Sequence, residues 1–75
     1  MGRLPVVSGQ ELVRALGQIG YVVDRQKGSH IVLRQTNEPF RRVTVPDHRE
    51  IAKGTLRAIL RSVGLTPDEL DDLLT

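Results

Sequence analysis

Apolar residues recur along this chain first at helical spacing, then at strand spacing, then at helical spacing again. Leu12, Leu16 and Ile19 repeat three or four positions apart, with Val13 and Ala15 beside them, and predict a helix with one inward stripe. Ser8 and Glu11 stand in the S-x-x-E pattern of a capping box, and Val7 and Leu12 occupy the two positions of a hydrophobic staple. Gly20 is the natural stop, because glycine accepts the left-handed conformation that closes many helices. The period then falls to two. "YVVDR" (21–25), "HIVLRQ" (30–35) and "FRRVTV" (40–45) read as strands, separated by the turns "QKGS" and "TNEP" and ended by Pro46. Short strands joined by short turns predict an antiparallel meander.

Alternation within the strands assigns their faces. Ile31 and Leu33, with Val43 and Val45, share the parity that points at the helices. His30, Val32, Arg34, Arg42 and Thr44 then lie on the open face, with His30 near its edge, while Arg41 has the opposite parity to Arg42. Helical spacing returns from Lys53 to Val63, where Leu56, Ile59, Leu60 and Val63 form an apolar stripe and Lys53, Arg57 and Arg61 a basic one. Gly64 ends this helix. Thr66 and Glu69 box the start of a last one, with Pro67 at its first position and Leu70, Leu73 and Leu74 on its apolar side. The order is α-β-β-β-α-α. It predicts an α+β fold, a three-stranded antiparallel sheet with helices on one face, in one domain over residues 1–75.

Composition narrows the setting. A chain of 75 residues builds a single small core, good for about 3–5 kcal/mol of net stability. It has no cysteine, so no disulfide assists, and a reducing compartment suits it. No apolar run approaches the ~20 residues that span a bilayer, and "MGRLPVVSGQ" lacks the apolar segment of a signal peptide. The expected location is the cytoplasm. The net charge is only +2, but it is unevenly spread. All eleven Lys and Arg lie between Arg3 and Arg61, against five acids there, a balance of +6. The last twelve residues carry Asp68, Glu69, Asp71 and Asp72 and no base. A basic body suits a polyanion such as nucleic acid; it equally suits an ordinary soluble surface followed by an acidic helix.

The side-chain inventory excludes most chemistries. Without cysteine there is no thiol nucleophile, and neither a G-x-S-x-G elbow nor a P-loop occurs. The two histidines stand eighteen positions apart without H-x-x-x-H or H-E-x-x-H spacing, so a zinc site would need scattered carboxylates. No metal and no cofactor is expected. What remains is histidine among cations. Imidazole exchanges protons near neutrality, and RNA carries its own nucleophile in the 2′-hydroxyl. Cleaving RNA therefore needs only an acid or base and cations to stabilise the charged transition state. His30, flanked in sequence by Arg25, Lys27 and Arg34, supplies that minimum. A histidine in the same place also suits phosphate contact without catalysis.

Four segments in order, "SGQELVRALGQIGY", "KGSHIVL", "VTVPDH" and "KGTLRAILRSVGL", resemble the HicA-type mRNA interferase toxins, over Ser8 to about Leu65. The resemblance implies a fold like the double-stranded RNA-binding domain, metal-independent endoribonuclease cleavage of mRNA that blocks translation and growth, and neutralisation by a HicB-type antitoxin. It makes His30, in G-S-H, the catalytic residue. Gly28 becomes the turn glycine and Ser29 the serine whose hydroxyl orients His30, contacts phosphate or caps the turn. His48, in V-P-x-H, stands as a second acid–base group, a substrate contact or a plain loop histidine. Lys53, Gly54 and Thr55 match K-G-T, whose Gly and Thr start a helix with free N–H groups that favour an anion; Lys53 itself reaches phosphate or antitoxin acid, or is an ordinary exposed lysine. Many relatives carry a histidine or another polar residue directly after G-S-H. Here that position is Ile31, which the alternation assigns to the core, leaving His30 the sole catalytic candidate in its strand.

Arg25, Lys27, Arg34 and Arg42 are expected to contact phosphates, from their placement on the turn and open face. Two other readings use the same features. One is a non-catalytic RNA-binding module of the same fold. The other is a protein-interaction domain whose basic surface docks an acidic partner, and it predicts no salt-dependent affinity for RNA.

Overall fold

A computed structural model describes residues 3–75 of the chain. The elements run α1 (Gly9–Gly17), β1 (Tyr21–Lys27), β2 (His30–Gln35), β3 (Arg42–Pro46), α2 (Lys53–Val63) and α3 (Pro67–Leu74). The strands form an antiparallel sheet in the order β1-β2-β3. The expected α+β architecture is the observed one, and β2 and α2 have the expected bounds.

The helix signals act as anticipated. The Ser8 hydroxyl accepts from the Glu11 N–H at 3.0 Å, and the Glu11 carboxylate accepts from the Ser8 N–H at 2.8 Å. The Ser8 N–H, and after it the Ser8 hydroxyl, stabilise the ionised carboxylate and hold Glu11 below the usual glutamate range, helped by Arg14. Thr66 and Glu69 repeat the box at α3, with Pro67 at its first position. Gly64 closes α2 at φ +78°, where a side chain would be strained. The N-terminus of α2 has no such device: Ala52 precedes it without a side-chain cap, and no acid lies in its first turn.

Three local expectations are corrected. First, α1 ends at Gly17, before Gly20, and residues 18–20 form a turn; Ile19 therefore leaves the helical stripe and is partly exposed. Gly20, at φ +98°, instead begins the passage to β1, and its carbonyl accepts from the Thr36 N–H at 2.9 Å. Second, β1 runs to Lys27, so the hairpin turn is only Gly28-Ser29. Gly28 has φ +59°, as the first central residue of a primed two-residue turn requires. Third, β3 starts at Arg42 rather than Phe40. Phe40 sits at φ +57° after the cis Glu38–Pro39 bond, a conformation that cannot continue a ladder. Gln35 closes this end by both of its groups: its N–H donates to the Arg41 carbonyl, and its side-chain oxygen accepts from the Arg41 N–H.

The core lies between one face of the sheet and the helices. Ile31, Leu33, Val43 and Val45 pack there with Val7, Leu12, Ala15, Leu16, Tyr21, Ile51, Leu56, Ile59, Leu60 and Leu70. Helix α1 meets β1 and β3, α2 meets β3, and α3 packs on α1. Among the described residues no polar or charged side chain is buried, and no helix is long and apolar enough to cross a membrane.

Candidate active site on the open sheet face

The site starts from one irregularity in β1. Val23 pairs with Leu33, and the next pair is Arg25 with Val32, so Asp24 is an extra residue without a partner. A β-bulge of this kind shifts the parity of everything after it. Without it, Arg25 and Lys27 would share the side of Val23 and point toward the helices. With it, they share the face of Val32 and His30. The open face therefore reads as three cross-strand rows: Val22, Arg34 and Arg42 at one end; Arg25, Val32 and Thr44 in the middle; Lys27, His30 and Pro46 at the hairpin end.

His30 opens β2 and is exposed. Lys27 stands directly opposite it, at a Cβ separation of about 5 Å for such a pair. Arg25 is its diagonal neighbour, roughly 7–8 Å away and within reach of a long side chain. On its other side His30 is flanked by Pro46, which leads into the loop bearing Asp47 and His48. One imidazole, the Lys27 opposite it and a tight turn thus share the hairpin end of the sheet, with Arg25 in the next row.

Arg34 and Arg42 do not belong to that cluster. Arg34 lies four residues along β2 from His30, about 13 Å at strand rise. It also shares the bulge carboxylate with Arg42: Asp24 Oδ1 lies 3.8 Å from Arg34 Nε, and Asp24 Oδ2 lies 3.4 Å from Arg42 Nε. Arg34 Nη1 further donates to the Gln35 carbonyl at 3.2 Å. These two arginines form a partly neutralised patch, apart from the imidazole.

The remaining expected residues divide. Gly28 and Ser29 form the turn immediately before His30. His48 is exposed in the β3–α2 loop, two residues beyond Pro46, and its carbonyl accepts from the Gly9 N–H at 2.9 Å. Lys53 begins α2 and lines a groove with Arg3, Leu4, Val6, Arg57 and Pro67, away from the sheet's open face. Gly9 holds the end of α1 against the loop; a Cβ there would lie 2.2 Å from the Pro46 carbonyl oxygen.

Sequence reasoning missed Asp24 and Asp47. The sign of the first was an acidic residue inside an apolar strand, a type depleted in regular ladders. Asp47 is the variable position of V-P-x-H. Its N–H donates to the Ser29 carbonyl at 2.7 Å, and its carboxylate accepts from Gln10 Nε2 at 3.1 Å and Gln26 Nε2 at 3.2 Å. Among the described residues no three His, Asp or Glu side chains gather into a metal-binding group.

A search of curated proteins found no match to this chain. A family model described as the HicA toxin of bacterial toxin–antitoxin systems matches residues 9–65, from the first residue of α1 to just past α2. That span takes in the bulge, the hairpin, His30 and the loop behind it, and it covers well over half of the chain. The chain therefore belongs to the HicA toxin family, the toxin side of bacterial toxin–antitoxin pairs.

Proposed function

We propose that the chain is an endoribonuclease that cleaves mRNA at the hairpin end of its open sheet face, with His30 as the catalytic residue, and that a HicB-type antitoxin neutralises it. The observation that carries this reading is the bulge at Asp24, which brings Arg25 and Lys27 onto the face of the exposed His30. Bulges are over-represented beside active sites, where they re-aim side chains.

The chemistry needs no group that the chain lacks. The 2′-oxygen of the RNA attacks the adjacent phosphorus and gives up its proton. The P–O5′ bond breaks, and the departing 5′-oxygen gains a proton. The products are a 2′,3′-cyclic phosphate and a free 5′-hydroxyl. His30 exchanges the proton with the reacting oxygens. Lys27 and Arg25 bind the scissile phosphate and stabilise the charge that builds on its oxygens. Gly28 lets the backbone turn tightly beside the substrate, Ser29 fixes that turn, and His48 contacts the strand from the neighbouring loop. Arg34 and Arg42 hold a phosphate further along the RNA, in competition with Asp24. Lys53 contacts the polyanion outside the cleavage point. Localisation in the cytoplasm, where mRNA and antitoxin meet, follows from this reading.

Induction in a bacterial host tests it. The parent chain should arrest growth, His30→Ala should not, and co-expression of the antitoxin should relieve the arrest. Arrest of equal strength by a folded His30→Ala protein favours a non-catalytic RNA-binding module instead.

A further inference from the structure

The β3–α2 loop is held to the body of the protein without any help from the Asp47 side chain. The Gly9 N–H donates to the His48 carbonyl at 2.9 Å, and the Ile51 N–H donates to the Val7 carbonyl at 2.9 Å. Gly9 packs against Pro46 and Asp47 so closely that no Cβ would fit. Yet Asp47 adds bonds in three further directions. Its N–H reaches the Ser29 carbonyl at 2.7 Å, Oδ1 takes the Gln10 amide at 3.1 Å, and Oδ2 takes the Gln26 amide at 3.2 Å. Gln26 Nε2 also donates to the Gly28 carbonyl at 3.2 Å. The first turn of α1, the end of β1 and both residues of the hairpin turn are thus linked through one residue.

The main-chain N–H of Asp47 holds Ser29 directly, while its carboxylate reaches the hairpin tip through Gln26, whose amide also donates to the Gly28 carbonyl. A two-residue turn in an isolated ribbon frays readily, and β1 is an exposed edge strand. Gln26 pairs with Ile31, on the helix side of the sheet, so the Asp47 carboxylate bridges α1 and β1 behind the open face. The backbone bonds of the loop already anchor it there without that bridge.

We infer that Asp47 is a positioning residue for His30: clamped between Gln10 and Gln26, it holds the Gly28-Ser29 tip and so the imidazole in place. This inference rests on the ribonuclease reading for its kinetic consequence, but not for the clamp itself. Removing the carboxylate frees Gln26, loosens the tip and lowers kcat, and leaves KM for RNA unchanged.

The experiment compares Asp47→Ala, Asp47→Asn and Gln26→Ala with the parent. RNA cleavage is measured alongside 15N relaxation of the amides of residues 28–30. In Asp47→Ala, kcat should fall about 10- to 100-fold, the range that small misplacement of a catalytic group produces, with no rise in KM. The order parameters at the tip should drop from about 0.85 toward 0.6. Asp47→Asn should fall between, because its single carbonyl oxygen accepts from one glutamine only. Gln26→Ala should loosen the tip without changing the charge and lower kcat with KM held. Unchanged order at the tip in Asp47→Ala overturns the clamp. A rise in KM at constant kcat, or a loss of kcat equal to that of His30→Ala, overturns the positioning role. If the parent fails to cleave while the tip still loosens, the ribonuclease reading fails and the clamp stands.

Discussion

At the scale of single residues, small groups decide where charge is available. Asp24 faces Arg34 and Arg42 at 3.8 and 3.4 Å, with its side chain about a third exposed. Such partly solvated pairs contribute at most about 1 kcal/mol, so the carboxylate competes with phosphate rather than blocking it. Asp24→Asn should tighten RNA binding roughly two- to five-fold, the equivalent of that energy, as read by fluorescence anisotropy; an unchanged or weaker affinity would mean that the two arginines do not meet RNA. Gly9 poses a packing constraint instead. A methyl group there meets a backbone carbonyl that no rotamer can move, so Gly9→Ala should cost about 1–3 kcal/mol as overpacking does, visible as a lowered urea midpoint. Of these residues, His30 was legible in the sequence because G-S-H precedes a strand of clear alternation. Asp24 and Asp47 were not, because a bulge and a side-chain clamp leave no periodic signal.

At the scale of elements, caps fix the starts of α1 and α3, and strand parity fixes which side chains face the core. The Ser8–Glu11 box is formed, and the Glu11 carboxyl titrates below its ordinary range. A depressed carboxyl stabilises the fold in its ionised form. Its contribution is present above the unfolded-chain value of about 4.3 and is lost as pH falls through the lower folded value. Glu11→Gln should therefore flatten the acid limb of a stability–pH curve while leaving the shape near neutrality unchanged; an identical acid limb would mean the box carries no charge-dependent stability. The sequence showed α2 and β2 to their end residues, since Gly64 and the alternation of Ile31 and Leu33 mark them without ambiguity. It misplaced the ends of α1 and β3 for physical reasons. Gly20 is three residues past the last helical turn, and Phe40, an ideal strand residue by propensity, takes a positive φ that only the course of the loop imposes.

At the scale of the whole molecule, a thin core supports an open sheet face that carries Arg25, Lys27, His30, Arg34 and Arg42. Leu33, in the central strand, is fully buried; truncation to alanine costs about 2–5 kcal/mol, comparable to the entire ~3–5 kcal/mol available to a domain of this size. Leu33→Ala should be largely unfolded by circular dichroism at room temperature, whereas His30→Ala, on the exposed face, should melt with the parent. Binding to single-stranded RNA should weaken with salt at a logarithmic slope of roughly −1.4 to −2.8, for two to four neutralised phosphates; a flat response would point to an acidic protein partner for the basic face instead. The proposed reaction turns on one proton transfer, by His30. Its most direct test is cleavage of a defined RNA by the purified parent and by His30→Ala, both with EDTA present. The parent should cleave, leaving a 2′,3′-cyclic phosphate, and the folded variant should retain RNA binding but not cleavage. Equal cleavage by both proteins would contradict it.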